Sequence, residues 1–190
     1  MTRQNERKAE FLNLPNILTC LRICAIPLVI LLLIPPVSPV AYNCAFLLCL
    51  FALITDYLDG ILARRHNRVT STGKLLDPLA DKLLVSAVFI MLIPLGRIPA
   101  WMTFMVVSRE IIITGLRSLA ASHGLIINAS RLGKNKMVSQ SIAMLLLLLS
   151  IPGVEEKLVI LGQIFVGISI ILGYWSAVRY FMNFYRETRR

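Results

Sequence analysis

The chain has 190 residues, enough for one domain, and 57% of them are hydrophobic while only 16% are charged. A water-soluble domain needs more charged residues to cover its surface, so this composition argues against a soluble fold. The net charge of +10 arises from residues that form no basic helix and have few aromatic residues among them, which argues against nucleic acid as a partner.

Long uncharged stretches indicate helices that cross a membrane. No charged residue occurs over residues 23–55, 137–154 or 158–178, and a helix needs about 20 apolar residues to cross the hydrocarbon core. The first 12 residues are polar and charged and lack the apolar core of a cleaved signal peptide. They predict a short segment lying at the membrane interface.

Six spans are predicted, separated by proline-containing turns or polar loops. In chain order the spans cover residues 13–34, 40–64, 77–95, 100–121, 135–151 and 158–180. Polar loops are expected over residues 65–74 and 122–136. The fold class is therefore an all-α membrane protein with one domain: an interfacial segment over residues 1–12, a six-helix bundle over 13–182 and a cytoplasmic tail over 183–190.

The positions of the basic residues predict the orientation of this bundle. Six spans place both termini on one side of the membrane, and only Arg97 and Lys157 fall in turns on the opposite side. Loops rich in Lys and Arg remain in the cytoplasm. Both termini and all four aspartates are therefore expected at the cytoplasmic face.

The four aspartates lie in one stretch, DYLDGILARRHNRVTSTGKLLDPLADK, which covers residues 56–82. Asp56 and Asp59 are three residues apart, and Asp77 and Asp81 are four apart, so each pair shares a helix face. The spans that carry them are neighbours, and the two pairs are expected to form one cluster. Such a cluster is unfavourable near a membrane unless cations neutralise it. Carboxylate oxygens suit Mg²⁺ or Mn²⁺, and four carboxylates can hold two such ions.

Individual carboxylates also have simpler explanations. Asp77 followed by Pro78 is typical of a helix start, with aspartate as the N-cap. Asp56 and Asp59 could form ion pairs with basic neighbours, namely Arg64, Arg65 or Lys82. These explanations leave open why four acids converge at one depth.

The spacing Asp56-x2-Asp59-Gly60-x2-Ala63-Arg64-x8-Gly73-x3-Asp77-x3-Asp81 resembles the signature of the CDP-alcohol phosphotransferases at every fixed position. The resemblance implies the fold of that family, and two Mg²⁺ or Mn²⁺ ions held by Asp56, Asp59, Asp77 and Asp81. It implies that a CDP-linked lipid binds at Asp56, Gly60, Ala63, Arg64 and Gly73. It also implies that Asp81 takes the proton from an acceptor hydroxyl, which attacks the phosphorus attached to the lipid as CMP leaves.

Basic residues of the fourth and fifth spans suggest a pocket for an acceptor phosphate. They are Arg109 and Arg117 in SREIIITGLR, and Lys134 and Lys136 in RLGKNK. The arginine guanidinium group matches the geometry of phosphate oxygens well. The alternative is that these residues only follow the positive-inside rule or contact lipid headgroups. Glu110 follows Arg109 directly and is expected to point about 100° away from it on a helix.

The segments NLPNILTCLR, SREIIITGLR and LGKNK resemble the bacterial phosphatidylglycerophosphate synthases, a branch of the same family. The resemblance implies transfer of the phosphatidyl group from CDP-diacylglycerol to sn-glycerol 3-phosphate, in the bacterial inner membrane, by a homodimer surrounded by membrane lipids. One departure is Met137, where that branch commonly has Thr. Arg22, about two turns into the first span, could extend to the membrane surface or reach the diphosphate, and both options stay open.

Two other functions are compatible with these residues. The same transfer could use another acceptor, such as serine, inositol phosphate or a lipid phosphate. From a different class, acids within a membrane often mark ion pathways, which would suit a divalent-cation carrier. The acids lie near one face, however, and the outer half of every predicted span has none, which argues against a continuous ion path.

Overall fold

A computed structural model describes the backbone over residues 14–66, 71–122 and 131–188, and side chains over residues 21–56, 79–122 and 133–185. Six helices and no strand are found in the described backbone, which confirms the all-α prediction. They are α1 (Leu14–Leu32), α2 (Pro39–His66), α3 (Ser71–Leu92), α4 (Ala100–Ser122), α5 (Arg131–Leu148) and α6 (Glu155–Thr188). The predicted interfacial segment, residues 1–12, lies outside the described part of the chain.

Three helix boundaries differ from the prediction by four residues or more. Helix α3 begins at Ser71, six residues before Asp77, so Asp77 lies inside the helix and its interpretation as an N-cap is wrong. Ser and Thr favour helix starts, and the segment Thr70 to Thr72 supplies three such residues. Helix α5 begins at Arg131 rather than near residue 135. Its first turn contains Arg131, Leu132 and Lys134, which are good helix formers although two of them are charged. Helix α6 continues to Thr188, so most of the predicted tail is helical.

The predicted turns between helices are present and have recognisable causes. Ser38 caps α2, since its Oγ accepts a hydrogen bond from the backbone N–H of Ala41 at 3.2 Å, and Pro39 occupies the first helical position. Gly96 and Gly153 adopt φ angles of +69° and +81° in the two other short turns. Side chains with a Cβ rarely adopt this left-handed region, so these turns require glycine.

The helices belong to two compact units, Met1–Met91 and Leu92–Arg190. In the first unit, α1 packs against α2. In the second unit, α6 packs along α5 and also contacts α4. Each unit therefore has its own core of apolar side chains. The fully buried members include Val29, Leu33, Ala45 and Cys49 in the first unit and Ala143, Met144, Leu147 and Val166 in the second.

The contact between α5 and α6 depends on small residues. Helix α6 buries side chains or backbone at spacings of four and three residues along one face, a pattern suited to two long antiparallel helices. Those positions are Gly162, Val166, Ser169, Gly173 and Ser176. A Cβ at position 162 would lie 2.7 Å from Cγ of Leu147. The absence of a side chain at Gly162 thus allows α5 and α6 to approach closely.

Within the residues whose side chains are described, two helical segments are long and apolar enough to cross a membrane by length and composition, Pro39–Asp56 and Glu155–Tyr185. Leu21–Leu32 is apolar but shorter. Many large apolar side chains point outward, among them Leu31 at 65%, Phe104 at 69% and Ile171 at 68% exposure. Exposed apolar area of this kind indicates a surface that lipid or protein covers. The count of six spans stays a prediction.

Candidate functional site

The fixed residues of the aspartate signature all lie on two helices. Five are in the last 11 residues of α2 and three are in the first half of α3. Among their side chains, those of Asp56 and Asp81 are described, and the other six lie outside the described side chains. Those six are Asp59, Gly60, Ala63, Arg64, Gly73 and Asp77. The predicted cluster of four carboxylates therefore stays a prediction, and two of its members can be located.

Asp56 and Asp81 both form ion pairs with Arg22 of α1. Arg22 Nη2 lies 3.1 Å from Oδ1 of Asp56, and Arg22 Nη1 lies 2.9 Å from Oδ1 of Asp81. The Arg22 side chain is only 1% exposed, whereas the two aspartate side chains are 31% and 25% exposed. A single buried guanidinium group thus joins three helices at the signature.

The apolar pattern of α1 and α2 explains why Arg22 and Asp56 meet. Arg22 lies on the buried face of α1, three residues before Ala25 and seven before Val29. On α2, Asp56 follows the buried residues Cys49 and Ala52 at spacings of seven and four. Small side chains near the crossing let the helices approach, so the polar ends of two apolar faces come into contact.

The chemistry of these donors fits a divalent cation. Carboxylate oxygens from two helices converge on one positive group, and hard cations such as Mg²⁺ prefer oxygen ligands. Among the described residues, no group of three or more His, Cys, Asp or Glu side chains is placed to hold a metal. Asp59 and Asp77, the remaining acids of the signature, lie outside the described side chains. The two located carboxylates supply half of the oxygen donors that the sequence predicts.

A second charged cluster lies in the other unit and contains two of the four predicted phosphate-binding residues. Arg109 and Glu110 are 8% and 9% exposed, and Lys136 is 5% exposed. Glu110 Oε1 accepts a hydrogen bond from Arg109 Nη1 at 3.1 Å and another from Lys136 Nζ. One carboxylate therefore holds two buried cations from α4 and α5 together.

Glu110 does not point away from Arg109, so that expectation is wrong. Adjacent Cα–Cβ bonds do diverge on a helix, but the long arginine side chain bends back to its neighbour. Arg109 also donates from Nε to the carbonyl oxygen of Gly173 at 3.2 Å. A Cβ at Gly173 would lie 3.4 Å from Arg109 Nε and 3.5 Å from Cγ of Lys136. An added Cβ would thus be in ordinary van der Waals contact with both cationic side chains, so this part of α6 packs directly against Arg109 and Lys136.

The other two predicted phosphate-binding residues have different surroundings. Arg117 is exposed, and its guanidinium carbon lies 6.0 Å from the centre of the Tyr180 ring, a distance at the limit of a cation–π contact. Lys134 is exposed near the start of α5. The structure thus brings Arg109 and Lys136 together, while Arg117 and Lys134 stay accessible.

Two functional candidates were not assigned from the sequence. The sequence alone leaves two options for Arg22, although its spacing to Ala25 and Val29 is typical of a residue on a buried helix face. The expectation that Glu110 points away does not use the fact that it is the one acid between residues 82 and 154. A lone acid among apolar residues and close to two predicted cations is a signal for a buried ion pair.

These features define an all-helical protein with an acidic site on two helices and a buried basic cluster on two others. The sequence profile of the family described as CDP-alcohol phosphatidyltransferase matches residues 12–175. The chain belongs to this family, which confirms the resemblance of the aspartate signature. Members of the family generally use a divalent metal ion.

Named proteins from several bacteria align with most of the chain. The chain is 43% identical over 148 residues to the CDP-diacylglycerol–glycerol-3-phosphate 3-phosphatidyltransferase of Bacillus subtilis, covering 72% of this chain and 77% of that protein. It is 39% identical over 170 residues to the protein of the same name from Rickettsia bellii, covering 89% and 93%. It is 37% identical over 154 residues to a protein of Mycobacterium tuberculosis named as a probable phosphatidylglycerophosphate synthase, covering 80% and 73%.

Proposed function

We propose that this protein transfers the phosphatidyl group of CDP-diacylglycerol to sn-glycerol 3-phosphate and releases CMP. One structural observation carries the proposal: Asp56 and Asp81 both form an ion pair with Arg22. These two acids come from the two halves of the signature. The relatives named for this reaction share 39–43% of their aligned residues with this chain, which supports the same assignment.

The donor lipid is proposed to bind at the signature helices. Asp56, Gly60, Ala63, Arg64 and Gly73 would contact the CDP part, since glycine and alanine allow close approach and arginine pairs with phosphate. Two Mg²⁺ or Mn²⁺ ions would be held by Asp56, Asp59, Asp77 and Asp81. When bound, these ions neutralise the diphosphate and stabilise the negative charge that develops on CMP.

Asp81 is proposed as the general base. Its carboxylate would accept the proton of the attacking hydroxyl group of glycerol 3-phosphate. The hydroxyl oxygen then forms a bond to the phosphorus of the phosphatidyl group, and the bond from that phosphorus to the oxygen of CMP breaks. The products are phosphatidylglycerophosphate and CMP, and the proton is held by Asp81 until solvent removes it.

The acceptor phosphate is proposed to bind Arg109, Arg117, Lys134 and Lys136. Arg117 and Lys134 are exposed and can contact a phosphate directly. Arg109 and Lys136 are buried with Glu110, where two cations share one carboxylate. A doubly charged acceptor would be favoured over a neutral one by such a set of cations.

The protein is also proposed to span the bacterial inner membrane six times, with its termini and site on the cytoplasmic side, and to form a homodimer. The apolar length of Pro39–Asp56 and Glu155–Tyr185 supports a membrane location. The distribution of Lys and Arg along the sequence supports the proposed orientation.

An acceptor panel tests this function. Purified protein with CDP-diacylglycerol and Mg²⁺ or Mn²⁺ should release CMP when glycerol 3-phosphate is added, and much less with serine, glycerol or inositol phosphate. Asp81→Asn should reduce turnover by at least about 100-fold, since a general base contributes about 10²–10⁴-fold. Equal release with serine or glycerol would refute the acceptor assignment. Mg²⁺ uptake into proteoliposomes without CMP release would support a cation carrier instead.

A further inference from the structure

We propose that Arg22 is a positioning residue that sets the spacing of Asp56 and Asp81 for divalent-cation binding. The inference rests on the proposed function in that it takes these two aspartates as metal ligands. It adds a residue of α1, outside the signature, to the acidic site. The geometry that carries it is the pair of contacts at 3.1 and 2.9 Å from two different nitrogens of one guanidinium group.

The shape of the arginine side chain supports this role. The guanidinium group is planar and rigid, so its two terminal nitrogens are held at a constant separation. Nη2 contacts Asp56 on α2 and Nη1 contacts Asp81 on α3. The position of one carboxylate is thereby fixed relative to the other, across two helices. A lysine could supply the charge but has a single nitrogen, which cannot impose the same spacing.

The exposure of the three side chains indicates that Arg22 orients the two carboxylates rather than competing with a metal ion for them. A cation that competed for the site would share the open side of the carboxylates. Instead, the Arg22 side chain is 1% exposed, while those of Asp56 and Asp81 keep 31% and 25% exposure. Arg22 thus contacts the carboxylates from the protein interior and leaves their exposed sides accessible to an ion from solvent. Carboxylates that bind metals are commonly oriented by contacts with a neighbouring side chain, and here the two contacts are ion pairs with Arg22.

The test measures binding of Mn²⁺ alone to metal-free protein purified in detergent, by electron paramagnetic resonance of the unbound ion. Arg22→Gln should weaken Mn²⁺ binding about 10–100-fold, the usual effect of removing a residue that orients a ligand. Arg22→Lys should bind Mn²⁺ more weakly than wild type and more tightly than Arg22→Gln. The matched control Arg179→Gln, at an exposed position of α6, should bind Mn²⁺ like wild type.

Thermal unfolding of each variant separates positioning from a purely structural role. A lower unfolding temperature with unchanged Mn²⁺ affinity would overturn the inference, and so would tighter Mn²⁺ binding by Arg22→Gln, or no Mn²⁺ binding by wild type. If Arg22→Gln does not fold, Arg22→Lys decides, since it keeps the buried charge and can contact at least one carboxylate.

The same preparations distinguish this inference from the proposed function. Mn²⁺ affinity that depends on Arg22, without CMP release on addition of glycerol 3-phosphate, would keep the positioning role and refute the function. CMP release that depends on glycerol 3-phosphate, with Mn²⁺ affinity equal in wild type and both Arg22 variants, would keep the function and refute the positioning role.

Discussion

Arg97 donates from Nη1 to the carbonyl oxygen of Leu147 at 2.9 Å and to that of Leu149 at 3.1 Å. These carbonyl groups lie at the C-terminal end of α5, where the last four carbonyls of a helix have no partner within it. Arg97 also forms an ion pair with Glu155 at the start of α6. One side chain from the turn between α3 and α4 therefore joins the end of α5 to the beginning of α6.

Arg97→Ala should lower the free energy of unfolding by about 3–6 kcal/mol, because two charge-assisted hydrogen bonds are worth about 1.5–3 kcal/mol each. The measurement is unfolding in detergent followed by far-ultraviolet circular dichroism. Arg179→Ala is the control, since the exposed Arg179 lies 6.0 Å from the Trp175 ring and loses at most a weak cation–π contact. Equal stability of the two variants would contradict the capping role of Arg97.

Glu110→Gln should destabilise the protein by about 3–5 kcal/mol. The substitution removes the negative charge that holds Arg109 and Lys136 in a buried position, and removing one partner of a buried ion pair leaves the cost of burying the others. Glu156→Gln serves as the control, because Glu156 is exposed at the start of α6 and surface changes alter stability by about 0.5 kcal/mol or less. Unfolding curves that coincide for Glu110→Gln and wild type would show that the cluster contributes nothing to stability.

The helices could be predicted because their signal is local. Apolar runs and turn residues such as those around Gly96 and Gly153 determine where most helices end. The starts of α3 and α5 were predicted too late, because the polar residues there resemble a loop in composition although their helix propensity is adequate. Polarity reports exposure to solvent, and an exposed helix is as polar as a loop.

The site was only partly predictable for a different reason. The spacing of the aspartates is a property of sequence, whereas the partners of a long side chain depend on packing. Arg22 meets Asp56 and Asp81 from a third helix, 34 and 59 residues earlier in the chain. Glu110 meets Lys136 across two helices. Helix periodicity indicates the face on which each residue lies, but it does not state which helix packs against that face.

Gly162→Ala should destabilise the protein by about 1–3 kcal/mol, as is usual for an added group in a packed interface. The new Cβ would lie 2.7 Å from Cγ and 2.8 Å from Cδ2 of Leu147, so α5 and α6 would have to separate or Leu147 would have to move. Gly167→Ala on the same helix is a matched control, since its Cβ would have no atom within 4 Å.

The control is expected to be neutral or stabilising, because alanine has a higher helix propensity than glycine by about 1 kcal/mol. The two variants differ only in position along α6, so their difference in unfolding free energy reports the close approach at Gly162. A destabilisation of the same size in both would attribute the effect to glycine itself rather than to helix packing.

Arg117→Ala should raise the KM for glycerol 3-phosphate about tenfold while leaving the KM for CDP-diacylglycerol unchanged. Arg117 is exposed, so its loss costs little stability, and one charge-assisted contact to a phosphate contributes about 1.5–3 kcal/mol. Steady-state CMP release, with each substrate varied in turn, measures both constants.

Arg179→Ala controls for the removal of a positive charge elsewhere, because Arg179 is also exposed and lies beside an aromatic ring, that of Trp175. A parallel rise in both KM values for Arg117→Ala would indicate that its contact with Tyr180 at 6.0 Å has a structural role, and that the acceptor phosphate binds elsewhere.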